Sequence, residues 1–65
     1  MGSNLYPGLV RLLKEAGCHI VRQGKGSHEI WFSPKSNRTF SVPRNTQKHH
    51  TANAVLKDAG LPKAF

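Results

Sequence analysis

Two hexapeptides written to the same pattern, Leu12-Leu13-Lys14-Glu15-Ala16-Gly17 and Val55-Leu56-Lys57-Asp58-Ala59-Gly60, constrain this chain more than any other feature. Each closes an apolar, helix-spaced segment on a glycine, the residue that accepts the left-handed conformation needed just past a helix C-terminus. In the first segment Leu9, Leu12, Leu13 and Ala16 form one apolar stripe, and Arg11, Lys14 and Glu15 lie off it. Pro7 suits the opening turn, where its missing N–H has no intrahelical partner in any case. In the second, Ala52, Val55, Leu56 and Ala59 form the stripe, with Thr51 as the expected N-cap. Leu61 can make the apolar contact that accompanies a glycine cap, and Pro62 prevents continuation. The pair reads as two helices sharing one stop chemistry, not as a repeat architecture.

Between them lie three strand-like runs. Residues 18–23 contain Ile20 and Val21, residues 28–33 contain Ile30, Trp31 and Phe32, and residues 38–42 alternate, with Phe40 and Val42 on one face and Thr39 and Ser41 on the other. Gly24-Lys25-Gly26 and Ser33-Pro34-Lys35-Ser36-Asn37 supply the turns, and such short connections favour antiparallel neighbours. The expected fold is α+β, in the order α-β-β-β-α: a three-stranded antiparallel sheet with two helices packed on one face, in a single domain over residues 1–65. By strand alternation, Ile30 and Phe32 are expected to face the helices and to take His28 with them. Trp31 is then expected on the opposite face, half-exposed or touching a partner, or stacked on a nucleic-acid base.

Composition narrows the partner. Ten Lys and Arg against Glu15, Glu29 and Asp58 leave a net charge of +7, which suits a polyanion and most commonly a nucleic acid. With 65 residues the core is too small for a deep substrate cavity, so chemistry belongs at an edge or on the surface. Cys18, the single cysteine, allows no internal disulfide and fits a reducing cytoplasm. No apolar run approaches the roughly 18 residues of a membrane span, and no signal-peptide stretch is visible, so a cytoplasmic protein is expected. Met1-Gly2 would suit N-myristoylation, but Tyr6 stands where that motif needs Ser or Thr. Asn37-Arg38-Thr39 matches a glycosylation sequon, which has no meaning without a secretory route.

Chemistry concentrates in Gly24-Lys25-Gly26-Ser27-His28, at the seam between a basic, flexible loop and a strand. An imidazole can exchange a proton near neutral pH, and beside a phosphate-holding lysine it is a candidate acid/base for cutting a nucleic acid. A histidine that merely caps a strand, or sits on the core side, is the competing reading. Arg44, Lys48 and the start of the second helix form a second candidate phosphate-contact zone, since helix N-termini favour anions. Arg11, Lys14, Lys57 and Lys63 read as solvated faces. Cys18-His19 and His49-His50 match no zinc-ligand spacing and read as unmetallated, so no metal or cofactor is expected.

Taken together, Leu12 to Gly17, Val21-Arg22-Gln23 leading into Gly26-Ser27-His28, Phe40-Ser41-Val42-Pro43-Arg44, and Thr51 through Leu61 resemble the HicA family of toxin ribonucleases, along nearly the whole span from Leu9 to Leu61. The resemblance implies a fold like that of double-stranded-RNA-binding domains. It also implies metal-independent cleavage of mRNA, a HicB-like antitoxin that covers the active site, and a catalytic role for His28. Operator DNA is a further partner to consider, reached through the toxin–antitoxin complex. Two positions depart from the family pattern: Asn45 stands where many members carry a second histidine, and His50 where a glycine often precedes the helix.

RNA brings its own nucleophile, the 2′-hydroxyl, so the expected apparatus is small. His28 would act as base, Lys25 and Arg22 as phosphate-side cations, and Ser27 as a hydrogen-bonding neighbour, with no second general acid evident. Glu29, one residue along, should point away from His28. The alternative is a small, non-catalytic module that reads double-stranded RNA by shape and needs no histidine. A third reading is an interaction protein whose basic face meets an acidic partner.

Overall fold

The computed structural model describes residues 4–65, so the Met1-Gly2 pair of the incomplete myristoylation motif lies outside it. Helix α1 (Tyr6–Glu15) is followed by strands β1 (His19–Gln23), β2 (His28–Ser33) and β3 (Arg38–Pro43), and then by helix α2 (His49–Asp58). The strands form one antiparallel sheet in the order β1-β2-β3. Both helices contribute to a single core on one sheet face, as the patterning requires.

The two glycine-terminated hexapeptides do the same work twice. After α1, the Cys18 N–H donates to the Leu13 carbonyl at 2.9 Å and the Gly17 N–H to Lys14 at 3.0 Å, with Gly17 at φ +89°. After α2, the Leu61 N–H donates to Leu56 at 2.8 Å and the Gly60 N–H to Lys57 at 3.0 Å, with Gly60 at φ +78°. These are paired Schellman closures, which satisfy helix carbonyls that would otherwise lack donors. Both glycines also press on the β2–β3 turn. A Cβ at Gly17 would come within 3.3 Å of Pro34, and one at Gly60 within 3.4 Å of Ser36. The helix C-termini are thereby gathered at the Pro34–Asn37 end of the sheet, and their N-termini at the Gly24–His28 end.

The start of α2 differs from expectation. The helix begins at His49 with Lys48 in the N-cap position, two residues before Thr51, and Lys48 makes no side-chain cap bond. The extended β3 explains the shift. It runs on to Pro43, and Thr46, fully buried, donates its hydroxyl to the Pro43 carbonyl at 2.6 Å, folding the chain over one turn earlier. Asn4 and Leu5 are sewn to the same loop. The Leu5 N–H donates to Thr46 O at 2.6 Å, and Asn4 Oδ1 accepts from the Thr46 and Tyr6 N–H groups at 3.1 Å.

The facing of β2 is the larger correction. Trp31 is fully buried, with Glu29 and Ser33 beside it on the helix side, while His28, Ile30 and Phe32 occupy the open face. Register explains the reversal: Trp31 pairs with Phe40 and Glu29 with Val42, and both partners belong to the core. A strand shows alternate residues to opposite faces, so the largest apolar side chain took the inside and Ile30 and Phe32 were left outside. Burying Glu29 is made tolerable by two donors. Its Oε1 accepts the Tyr6 hydroxyl at 2.6 Å and the Trp31 indole N–H at 3.1 Å. At the other end of β2, the Ser33 hydroxyl donates to the Ala59 carbonyl at 2.6 Å and accepts the Lys35 N–H at 3.2 Å, tying the sheet to the end of α2.

Strand β1 is a sheet edge held chiefly by β2. Its pairing slips between Ile20 and Arg22, which marks a β-bulge at Val21, and all five of its residues are exposed. Ile20 lies opposite Trp31 yet stays 47 % exposed, because the core is built under β2 and β3.

Burial first, then the hydrogen bond to Glu29 and that group's charge, push the Tyr6 hydroxyl up to about 12, against a smaller opposing effect of Arg44. The folded state therefore holds a proton that the unfolded chain releases near the ordinary tyrosine value. This contribution to stability is complete below about pH 10 and is lost as pH rises through about 12. Tyr6→Phe should cost roughly 1–3 kcal/mol in denaturant titrations followed by Trp31 fluorescence, the range for a hydrogen bond to a carboxylate. It should also abolish the alkaline decline. Because Tyr6 is the single tyrosine, phenolate absorbance reports its titration directly.

Candidate functional site

The loop between β1 and β2 is a tight turn with one left-handed residue. Gly24 donates its N–H to the His28 carbonyl at 2.9 Å, His28 returns its N–H to the Lys25 carbonyl at 3.1 Å, and Gly26 sits at φ +60°. Glycine adopts that conformation without a steric penalty. A Cβ on Gly24 would meet Ile30 Cδ1 at 3.2 Å, so this position has no room for a larger residue without a shift of Ile30. Across the sheet, the Arg44 N–H donates to the Ser27 carbonyl at 2.9 Å, and His28 pairs with Pro43. The turn is thus held from both neighbouring strands.

His28 is exposed, on the open face, as the first residue of β2. Its Nδ1 lies 3.2 Å from the Lys25 carbonyl oxygen. A carbonyl only accepts, so the ring makes this contact as an Nδ1–H donor, and in the neutral imidazole Nε2 then carries the free lone pair. Strand alternation, which had set His28 on the core side with Ile30 and Phe32, in fact carries all three outward. The competing core-histidine reading is thereby removed on geometric grounds. Glu29 points into the core, away from His28, as expected.

The expected cations fall into two groups. Arg22, paired with Ile30, stands beside His28 on the open face, and Lys25 and Ser27 are exposed on the turn itself. Arg44 joins through its backbone, but its charge acts on Tyr6, on the helix side of the sheet. Lys48 opens α2 at the same end of the molecule, with His49 and His50 after it in an edge-to-face pair at 5.8 Å. The structure therefore brings His28, Arg22, Lys25 and Ser27 together and places Arg44 and Lys48 around the corner. Among the described residues, no three His, Cys, Asp or Glu side chains gather as a metal-binding group. Cys18 is buried in the core, and His19 lies against Phe32.

Charge is distributed unevenly along the long axis of the helices. Neither α1 nor α2 has an acidic residue in its first turn, and the two exposed carboxylates, Glu15 and Asp58, are the last residues of the helices. Glu15 is further occupied by Arg11 at 3.5 Å. The turn end thus combines four cationic side chains with two helix N-termini, each equivalent to about half a positive charge, and attracts anions. Two features escaped the sequence reading: the Tyr6–Glu29–Trp31 cluster under the site, and the half-buried Phe32 beside His19 on the open face.

The fold and charge layout define a small α-β-β-β-α domain with an anion-attracting edge. The family model described as the HicA toxin of bacterial toxin–antitoxin systems matches residues 8–61, and the chain belongs to that family. It is a toxin whose family implies an antitoxin partner. A search of curated proteins and a search of solved structures each return no match.

The charge layout leads to a salt-dependence prediction. In titrations with a single-stranded oligonucleotide at rising salt, Arg22→Ala and Lys25→Ala should each flatten the plot of log affinity against log salt by about 0.7. Lys14→Ala, at the opposite end of α1, should leave the slope unchanged.

Proposed function

We propose that this toxin is an endoribonuclease that cleaves mRNA in the cytoplasm without a metal, with His28 as its general acid/base, and that a HicB-like antitoxin neutralises it. The observation that carries this reading is the histidine's setting. Nδ1 is engaged by the Lys25 carbonyl, which leaves Nε2 of this exposed residue without a partner among the described residues, and Arg22 and Lys25 supply cationic side chains around it.

The reaction uses few groups. Nε2 of His28 takes the proton of a ribose 2′-hydroxyl, the 2′-oxygen forms a bond to the adjacent phosphorus, and the P–O5′ bond breaks. The products are a 2′,3′-cyclic phosphate and a 5′-hydroxyl whose proton comes from water; the imidazolium then returns its own proton to the hydroxide formed. Arg22 and Lys25 offset the charge that builds on the phosphorane oxygens, and Ser27 offers a hydroxyl to a phosphate oxygen. Arg44 and Lys48 hold the strand further along its backbone. Positioned acid/base groups contribute roughly 10²–10⁴-fold, and a site with one such group supports a modest rate, sufficient for a toxin.

Pure protein incubated with RNA in the presence of a chelator should cleave it, and His28→Ala should lower the rate by about 10²–10⁴-fold while binding persists. Producing the chain alone should arrest bacterial growth, His28→Ala should relieve the arrest, and co-expression of a HicB-like neighbour should suppress it. Undiminished cleavage by His28→Ala sinks the assignment. Binding without cleavage by the wild type favours a non-catalytic double-stranded-RNA-binding module instead.

A further inference from the structure

The reversal of β2 leaves an unusual surface on the sheet. Phe32 stands on the open face with the His19 ring beside it, centroids 5.7 Å apart and planes inclined at 45°. Ile30 lies next in the same column, only half-buried, and Arg22 pairs with it from β1. From β3 the exposed hydroxyl residues Thr39 and Ser41 pair with Phe32 and Ile30. Among the described residues, no carboxylate shares this face: Glu29 is turned into the core, and Glu15 and Asp58 are on the helices. An aromatic pair, an aliphatic step, hydroxyls and cations, with His28 at the end of the same column, form a coherent ligand surface.

We propose that this open face is a stacking platform for single-stranded RNA, with Phe32 and His19 receiving the flat face of a base while the phosphate to be cut lies at His28. The inference rests on the ribonuclease reading and deepens it by naming the state of the substrate. Base faces are available for stacking on aromatic rings in single strands and are covered in a duplex, whose recognition runs through phosphates and 2′-hydroxyls. The cationic residues complement the backbone, and the Thr39 and Ser41 hydroxyls can meet base edges. Spacing sets the footprint. Phe32 is four residues from His28 along the strand, about 13 Å. A stacked strand advances about 3.4 Å per nucleotide, so the base on Phe32 is about four nucleotides from the cut if the strand stays stacked.

The test uses His28→Ala as the parent, so that RNA stays intact, and measures the anisotropy of a labelled mixed-sequence oligoribonucleotide, single-stranded or annealed to its complement. Phe32→Ala should weaken single-strand binding by about 5- to 150-fold, the loss associated with one stacked base, and change duplex binding by less than about twofold. Phe32→Tyr should restore binding, and His19→Ala should give a smaller loss of the same kind. Should Phe32→Ala fail to fold by Trp31 fluorescence, Phe32→Leu supplies apolar cover without a π-face and should show the same selective loss. Equal single-strand affinity for Phe32→Leu and parent overturns the platform, as does an equal loss on duplex and single strand. Retained RNA binding with a lost antitoxin complex would assign the face to protein instead and also overturn it. The ribonuclease reading is judged separately: wild-type cleavage without Phe32 dependence rejects the platform alone. Phe32-dependent single-strand binding by a wild type that never cleaves rejects only the nuclease.

Discussion

A buried carboxylate holds this small domain in its working register. Glu29 lies inside β2 with its Oε1 shared between the Tyr6 hydroxyl and the Trp31 indole N–H. A polar group so placed is costly unless hydrogen-bonded, and these two donors come from the first residue of α1 and from the centre of the core. Ser33 repeats the arrangement at the far end of the strand through Ala59 of the α2 cap. The inner face of β2 therefore reads polar, aromatic, polar, and each polar end is tied to a different helix. A slip by one residue would break both ties and expose Trp31, because it would send every side chain to the opposite face.

The outward direction of His28 follows from that register. Once Glu29 and Trp31 are inside, His28, Ile30 and Phe32 must be outside, and the Gly24–Ser27 turn fixes where the imidazole begins. The Lys25 carbonyl then selects which ring nitrogen carries the proton. Core packing and the protonation pattern of the candidate base are thus parts of one arrangement. The charge layout is a second consequence of topology. Two Gly-terminated helices with their C-termini at the β2–β3 turn necessarily present their N-termini beside His28, and their acidic last residues stay at the opposite end.

Much of this was legible in advance. The helix ends, the strand runs, the antiparallel order and the cationic turn all follow from glycine positions, apolar spacing and short connections, which are local signals. The facing of β2 was not, and the reason lies in its composition. Ile30, Trp31 and Phe32 are consecutive apolar residues, so alternation alone does not say which parity goes inside. The group that makes a buried Glu29 tolerable, the Tyr6 hydroxyl, is 23 residues away in the chain, so no local signal could place this carboxylate inside. The α2 start was displaced for a similar reason: Thr51 is a good cap by type, but the Thr46–Pro43 contact turned the chain earlier.

The sequence by itself determined the element order, the two glycine closures, the positive charge and the Gly-Ser-His motif, because each depends on residues within a few positions of one another. Only the tertiary structure decided that Trp31 belongs to the core and that Phe32 and His28 share an open face. Those outcomes depend on which partners meet across the sheet and beneath the helices. The free energy of burying Trp31 against Phe40 while satisfying Glu29 is a property of the assembled core, and no local segment contains it.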